Sequence, residues 1–236
     1  MIVVGLSGKA RTGKSHLTRE LFSAAEKLGW DVEVVPFAGP LKREAAANGY
    51  GKDVNPEKYR SYCQEHGAAM RAEDPDHWVK LWFKDIEKLA ESEKEATNPL
   101  LVLVDDCRYR NEVDILNKYG AVVTFVKHGE REIEDPKGEW RKHESEAIAN
   151  ALESFPDADL KRSGYNYVIY NDGDPEDLTK WATNFINKVC TSDDCPCEAC
   201  TSTIENRKAD PGIIDNELRN LLDQIEDLED DDHEDH

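Results

Sequence analysis

The chain has 236 residues and a formal net charge of −20, enough length for one well-packed domain with a small appendage. It contains no run of eighteen or more apolar residues, so no membrane-spanning helix is expected. Residues 191–236 hold 16 acidic and 3 basic side chains, and residues 1–190 are themselves at a net −7, so neither part offers the basic surface that stable nucleic-acid binding requires. Met1 passes directly into the apolar Ile2-Val3-Val4, without the basic and longer apolar stretches of a secretory leader, which makes the cytoplasm the expected compartment.

In chain order, an apolar strand over 1–6 precedes a helix over 14–28 that carries Leu17, Leu21, Ala24, Ala25 and Leu28 at helical spacing. A short strand at 32–36 follows, then helices over 40–48 and 56–72, separated by Gly49, Gly51 and Pro56. Trp78, Leu81, Trp82, Ile86 and Leu89 mark a helix over about 75–94. The run at 100–104, Leu-Leu-Val-Leu-Val, is apolar on both faces and belongs inside a parallel sheet covered on both sides. A helix at 110–119, a strand at 121–127, a helix at 144–153, a strand at 165–170 and a helix at 175–188 complete the alternation. This order predicts an α/β fold, a doubly wound parallel sheet, over residues 1–189, with a separate acidic tail over 190–236.

Gly8-Lys9-Ala10-Arg11-Thr12-Gly13-Lys14-Ser15 fits the pattern G-x-x-x-x-G-K-[ST] between the first strand and the first helix. Gly8 and Gly13 permit backbone conformations that bring N–H groups around an anion, and the following helix turns its positive end toward it. Lys14 supplies a point charge to the outer phosphates of a nucleoside triphosphate, and the Ser15 hydroxyl is placed to ligate Mg²⁺. Arg11, Thr12 and His16 complete the candidate nucleotide contacts, although exposed, solvated side chains suit Arg11 equally.

The buried strand ends in Asp105-Asp106-Cys107-Arg108, and ligands of open α/β sheets bind beyond the carboxyl ends of the strands. Carboxylates there can hold Mg²⁺ through water or accept from Ser15, and Asp106 is the named candidate; the alternative is a pair of acids that merely end a strand. Arg108, close by, can stabilise charge on a transferred phosphoryl group.

Several motifs in order carry a family resemblance over residues 1–188. They are Gly5 through Ser15; Phe37-Ala38-Gly39-Pro40-Leu41-Lys42; Tyr59-Arg60 with Gln64, Gly67 and Arg71; Asp74-Pro75-Asp76-His77-Trp78-Val79; Asp106-Cys107-Arg108-Tyr109 with Asn111-Glu112; His143-Glu144-Ser145-Glu146; and Ile169 through Gly173. The chain resembles the deoxynucleoside monophosphate kinases of bacteriophages, within the P-loop nucleoside monophosphate kinase group. That resemblance implies a P-loop kinase sandwich using ATP and Mg²⁺, a deoxynucleoside monophosphate as partner, and a host-cytoplasmic setting. It also implies that the helices over about 37–94 hold the acceptor, with Lys42, Arg60 and Arg71 as phosphate contacts and Phe37 and Gln64 as base contacts. Each has a plainer reading: core packing for Phe37, solvated helix charges for Arg60 and Arg71, and an internal hydrogen bond for Gln64. Gly39 and Ala68 stand where the pattern has Asp and Thr, so no preferred base is implied.

Residues 128–143 have the charged composition of a closing lid, with Arg131, Arg141 and Lys142 as its candidate cations and Arg141 as the candidate catalytic one; a solvated loop is the alternative. Ser145 or Glu146 would cap the helix that follows. Asn171, in the turn after the last strand, is a candidate contact to the nucleotide.

In the tail, Cys190, Cys195, Cys197 and Cys200 suit a four-thiolate Zn²⁺ site or free thiols in a loose segment, since Cys195-Pro196-Cys197 is tighter than the usual knuckle. Ile214, Leu218, Leu221, Ile225 and Leu228 form a two-heptad seam. It suits a homodimer or protein-partner helix, packing on the preceding domain, or a partly disordered acidic end. The resemblance implies γ-phosphoryl transfer from ATP to the acceptor's 5′-phosphate with no general base. A different acceptor, either a modified base in DNA or a small phosphorylated metabolite, and a non-catalytic nucleotide-gated module remain the alternatives.

Overall fold

In the computed structural model, which describes residues 1–127 and 144–191, the chain runs β1 (Ile2–Ser7), α1 (Lys14–Lys27), β2 (Asp31–Val34), α2 (Gly39–Ala47), α3 (Pro56–Glu73), α4 (His77–Glu93), β3 (Leu100–Cys107), α5 (Arg110–Lys118), β4 (Val122–Lys127), α6 (Glu144–Glu153), α7 (Asp157–Arg162), β5 (Tyr167–Tyr170) and α8 (Pro175–Thr191). All strand pairings are parallel, in the order β2-β3-β1-β4-β5. Side chains alternate across β3: Leu100, Val102 and Val104 enter one core with Trp82, Phe83 and Ile86 of α4, while Leu101 and Leu103 enter the other with Leu17 and Leu21 of α1 and Phe185 of α8. This two-sided burial is the doubly wound α/β sandwich that the apolar runs predict. At Gly5 the sheet meets α5 so closely that a Cβ would lie 2.6 Å from Leu116 Cδ1.

Four details differ from the sequence reading. The edge strand β2 is Asp31–Val34 and stops short of 36; Val35 N–H still donates to the Leu103 carbonyl, and Pro36 has no N–H to continue the ladder. The strand β3 runs past the apolar stretch at 100–104 to include Asp105, Asp106 and Cys107. The short helix α7 was not expected; Pro156 precedes it, Asp157 and Asp159 fill its first turn, and Leu160 is its one buried residue. Finally, α8 continues to Thr191, and Cys190 packs against the core that holds Phe185 and Ile186, so the chain is still helical past the expected boundary at 189/190.

Among the described residues no helix is long and apolar enough to cross a membrane. Of the four tail cysteines only Cys190 lies in the described part; Cys195, Cys197, Cys200 and the seam from Ile214 to Leu228 fall outside it.

Candidate phosphate-binding site

The site gathers at the carboxyl ends of β1, β3 and β4, where open α/β sheets bind ligands. The loop after β1 is closed by its own atoms. Gly8 has φ 133°, and a side chain there would run into the Val126 carbonyl at the end of β4. Gly13 has φ 95°, and a Cβ there would meet the Asn171 side-chain amide. That amide donates to the Thr12 carbonyl at 2.9 Å, and the buried Thr12 hydroxyl donates to the Lys9 carbonyl at 2.9 Å. Thr12 and Asn171, expected to touch the nucleotide, are therefore seen holding the shape of the loop. Arg11, exposed at the tip, has φ 67° in the left-handed region, unusual for a residue with a side chain.

The Lys14 ammonium reaches back into this ring, donating to the carbonyls of Gly8 at 2.6 Å and Lys9 at 2.7 Å. Gly13 caps α1 without a side chain, and the first turn contains no acid to neutralise the helix's positive end. Such a loop fits a polyphosphate: its glycines leave room for an anion against the backbone, and its lysine is already held inside. Ser15 is exposed in that same first turn. His16 instead pairs with Glu20 one turn along α1, at 3.3 Å, so its ring is engaged away from the loop.

At the end of β3 the register changes. Gly5 pairs with Val104 and Ser7 with Cys107, so two residues of β3, Asp105 and Asp106, face one residue of β1. This is a β-bulge, a device that re-aims side chains beside active sites. It separates the two acids. Asp106 accepts the backbone N–H of Phe37 at 2.8 Å and of Ala38 at 3.0 Å, and lies 4.0 Å from the Lys42 ammonium. Both its oxygens thus accept from the residues that lead into α2, and each keeps a second lone pair for a cation or a bridging water. Burial, then the neighbouring Asp106 carboxylate, raises the Asp105 pKa above the ordinary range, and the Lys42 and Lys14 ammonium groups oppose the rise. Ser15, Asp105 and Asp106 carry the kind of oxygen donor that suits a hard divalent cation.

The residues expected on the acceptor side lie around α2, α3 and α5. Phe37 is buried to 1% exposure, its ring 4.7 Å from that of Trp82, which corrects the expected base contact to core packing. Arg71 lies over the Tyr109 ring at 4.2 Å and donates to the Gly67 carbonyl at 3.1 Å. Gly67 is where α3 meets α2, since a Cβ there would sit 2.9 Å from Leu41 Cδ2. Arg108 donates through its guanidinium to the buried Ser145 hydroxyl at 3.0 Å. Ser145, with Glu146 one of the two expected caps of α6, accepts this bond. Glu112 accepts the backbone N–H of Arg108 at 2.6 Å and of Tyr109 at 2.9 Å. Gln64 is half-buried on α3 and Arg60 exposed there. Beside Lys42, Cys63 hydrogen-bonds Tyr59; burial, then Cys63, pushes the Tyr59 phenol up to about 12. The lid candidates Arg131, Arg141 and Lys142 fall outside the described residues, as does His143.

Sequence reasoning assigned no role to Tyr109, Ser145 or Glu112 in this cluster. Only Glu112 carries a readable signal, being placed to accept from the backbone at the start of a helix.

No protein-family model and no curated protein matches the chain. Among solved structures, the shikimate kinase from Acinetobacter baumannii in complex with shikimate is 16% identical at a TM-score of 0.44, over 81% of this chain and 96% of that one. TT1252 from Thermus thermophilus is 17% identical at a TM-score of 0.42, over 80% and 97% of the two chains. The shikimate kinase from Aquifex aeolicus is 12% identical at a TM-score of 0.41, over 79% and 96%. These likenesses are distant, and the chemistry of the site is read from its own residues.

Proposed function

We propose that this chain is an ATP-dependent phosphotransferase that phosphorylates a deoxynucleoside 5′-monophosphate to the diphosphate. The observation that carries this reading is the Lys14 ammonium, held by the Gly8 and Lys9 carbonyls within a glycine-hinged loop at an uncapped helix start. An oxygen of the acceptor's 5′-phosphate bonds to the γ-phosphorus of ATP while the bond from that phosphorus to the β–γ bridging oxygen breaks, the electron pair leaving with the diphosphate. The acceptor phosphate is largely ionised at neutral pH, its second pKa being about 6, so no residue has to remove a proton. Ser15 and Asp105 are the residues that would hold Mg²⁺, which would supply charge neutralisation at the phosphates. Lys14 offsets the charge on the phosphoryl group in transfer, and the loop amides and α1 hold the donor. Arg71 and Arg108 present planar guanidinium groups suited to a phosphate, with Lys42 adding a point charge.

The acceptor class rests on the ordered motifs from Phe37 to Arg108 and on Arg71, stacked on the Tyr109 ring beside Arg108 in sequence. An ATP-consumption screen over the four deoxynucleoside monophosphates, their ribose counterparts and DNA tests it. Turnover with at least one deoxynucleoside monophosphate is expected, and none with DNA. Turnover confined to DNA, or no turnover with any monophosphate, overturns the assignment.

Arg71→Ala and Arg108→Ala are expected to lower acceptor kcat/KM by about 10- to 100-fold, the range for losing one charge-assisted hydrogen bond, with ATP affinity unchanged. Steady-state kinetics with each substrate varied in turn checks this, and equal weakening toward ATP would place both arginines on the donor side.

Every group assigned a role precedes residue 174, and α8 ends at Thr191. Deleting residues 192–236 should therefore leave near-normal kcat. Light scattering on the truncated protein then reports whether the apolar seam of the tail sets the oligomeric state. Lost turnover at unchanged mass would show that the tail supports the catalytic domain.

A further inference from the structure

Glu112 is 3% exposed, and one of its oxygens receives two successive backbone amides, those of Arg108 and Tyr109. Those two residues carry the acceptor side. The Arg108 guanidinium extends to Ser145, and the Tyr109 ring is the platform on which Arg71 lies. We propose that Glu112 is the positioning residue of the acceptor arginines, setting Arg108 through its backbone and Arg71 through Tyr109 and through charge. The inference rests on the reading of this site as a monophosphate kinase.

A helix start needs an acceptor for its N–H groups, but it does not need a buried charge. Here a charge is both buried and opposed. Burial, and after it the Asp106 carboxylate on β3, push the Glu112 carboxyl up to about 7, while the two amides and Arg71 on α3 pull it down. The other titratable groups that face it are the Cys107 thiol on β3 and the Tyr165 phenol ahead of β5, both raised chiefly by burial. Arg71 is the cation that acts on this carboxylate, and its guanidinium is held in place by the Tyr109 ring and the Gly67 carbonyl.

The sign of the linkage separates a positioning role from a capping role. A carboxyl whose folded pKa lies above its unfolded one destabilises the fold as pH rises from about 4.5 through about 7. Glu112→Gln keeps a carbonyl oxygen for the two amides and removes that cost. On the full chain, we expect its Tm at about pH 8 to equal or exceed that of wild type. We expect its acceptor KM to rise about tenfold or more, as misplaced substrate-binding groups cost, with ATP KM unmoved. Glu112→Asp, which keeps the charge but withdraws it by one methylene, should raise acceptor KM while retaining the wild-type pH dependence.

Wild type supplies an independent reading. Its acceptor KM should rise as pH falls through about 7, above the acceptor's own ionisation near 6, and this limb should vanish in Glu112→Gln. A Gln variant with lowered Tm and wild-type acceptor KM would make Glu112 a cap and nothing more, overturning the inference. So would a wild-type acceptor KM that is flat over that range, even if the Gln variant fails to fold. Absence of turnover with every monophosphate would overturn the kinase reading and this inference together, whereas active wild type with an indifferent Gln variant removes this inference alone.

Discussion

Lys14→Ala is expected to lower phosphoryl transfer by about 10²- to 10³-fold, the usual cost of removing one preorganised donor from a site where charge develops. The same change should leave thermal unfolding close to wild type. The Lys14 side chain belongs to neither core, and its Nζ donates to two loop carbonyls, at 2.6 and 2.7 Å, that water can reach once the side chain is gone. Lys14→Arg should not rescue, because a planar guanidinium is larger than the ammonium that fits between those carbonyls. Single-turnover kinetics beside a thermal melt checks both halves. A Lys14→Ala protein that is folded and turns over like wild type would remove the loop at residues 8–15 from the chemistry and, with it, the kinase reading.

The phosphate loop and the sandwich around it were legible because each depends on local spacing. Gly8, Gly13, Lys14 and Ser15 stand at fixed separations, and the strand at 100–104 shows both its apolar faces in a single run. What the sequence hid were pairwise facts. The bulge at Asp105-Asp106 exists only relative to β1, so naming Asp106 from the sequence could not show that it accepts the amides of Phe37 and Ala38. Phe37, an aromatic after a strand, reads equally well as a base contact or as core; the Trp82 ring decides it, and that residue is 45 positions away. Glu112 was legible as a residue at a helix start, but its partner Arg71 comes from a different helix. The helix at Asp157–Arg162 has fewer than two turns and one buried side chain, too little for a helical period to show.

The division of labour between the two acids of the bulge gives the second large effect. Asp105→Asn is expected to lower kcat by about 10²-fold at limiting Mg²⁺ and to raise the Mg²⁺ concentration needed for half-activity, since a neutral amide is a poor ligand for a hard cation. Its Tm at neutral pH should hold or rise. Asp105 has a folded pKa above its ordinary value, so its charged form costs stability above the unfolded pKa, and Asn removes that cost. Asp106→Asn should behave in the opposite way. An Asn side chain has one carbonyl oxygen for the two N–H groups of Phe37 and Ala38, leaving one of them facing its NH₂. An amide left without its acceptor costs about 1–3 kcal/mol, so Tm should fall. The start of α2 should loosen and carry Lys42 with it, raising acceptor KM without a change in Mg²⁺ requirement. Mg²⁺ titrations at saturating ATP, paired with melts of both variants, separate the two outcomes. If Asp106→Asn instead shows the Mg²⁺-dependent defect and Asp105→Asn does not, then Asp106 is the metal carboxylate after all. Its oxygens would then ligate the cation through their second lone pairs beside the Phe37 and Ala38 amides, tying the start of α2 to the metal.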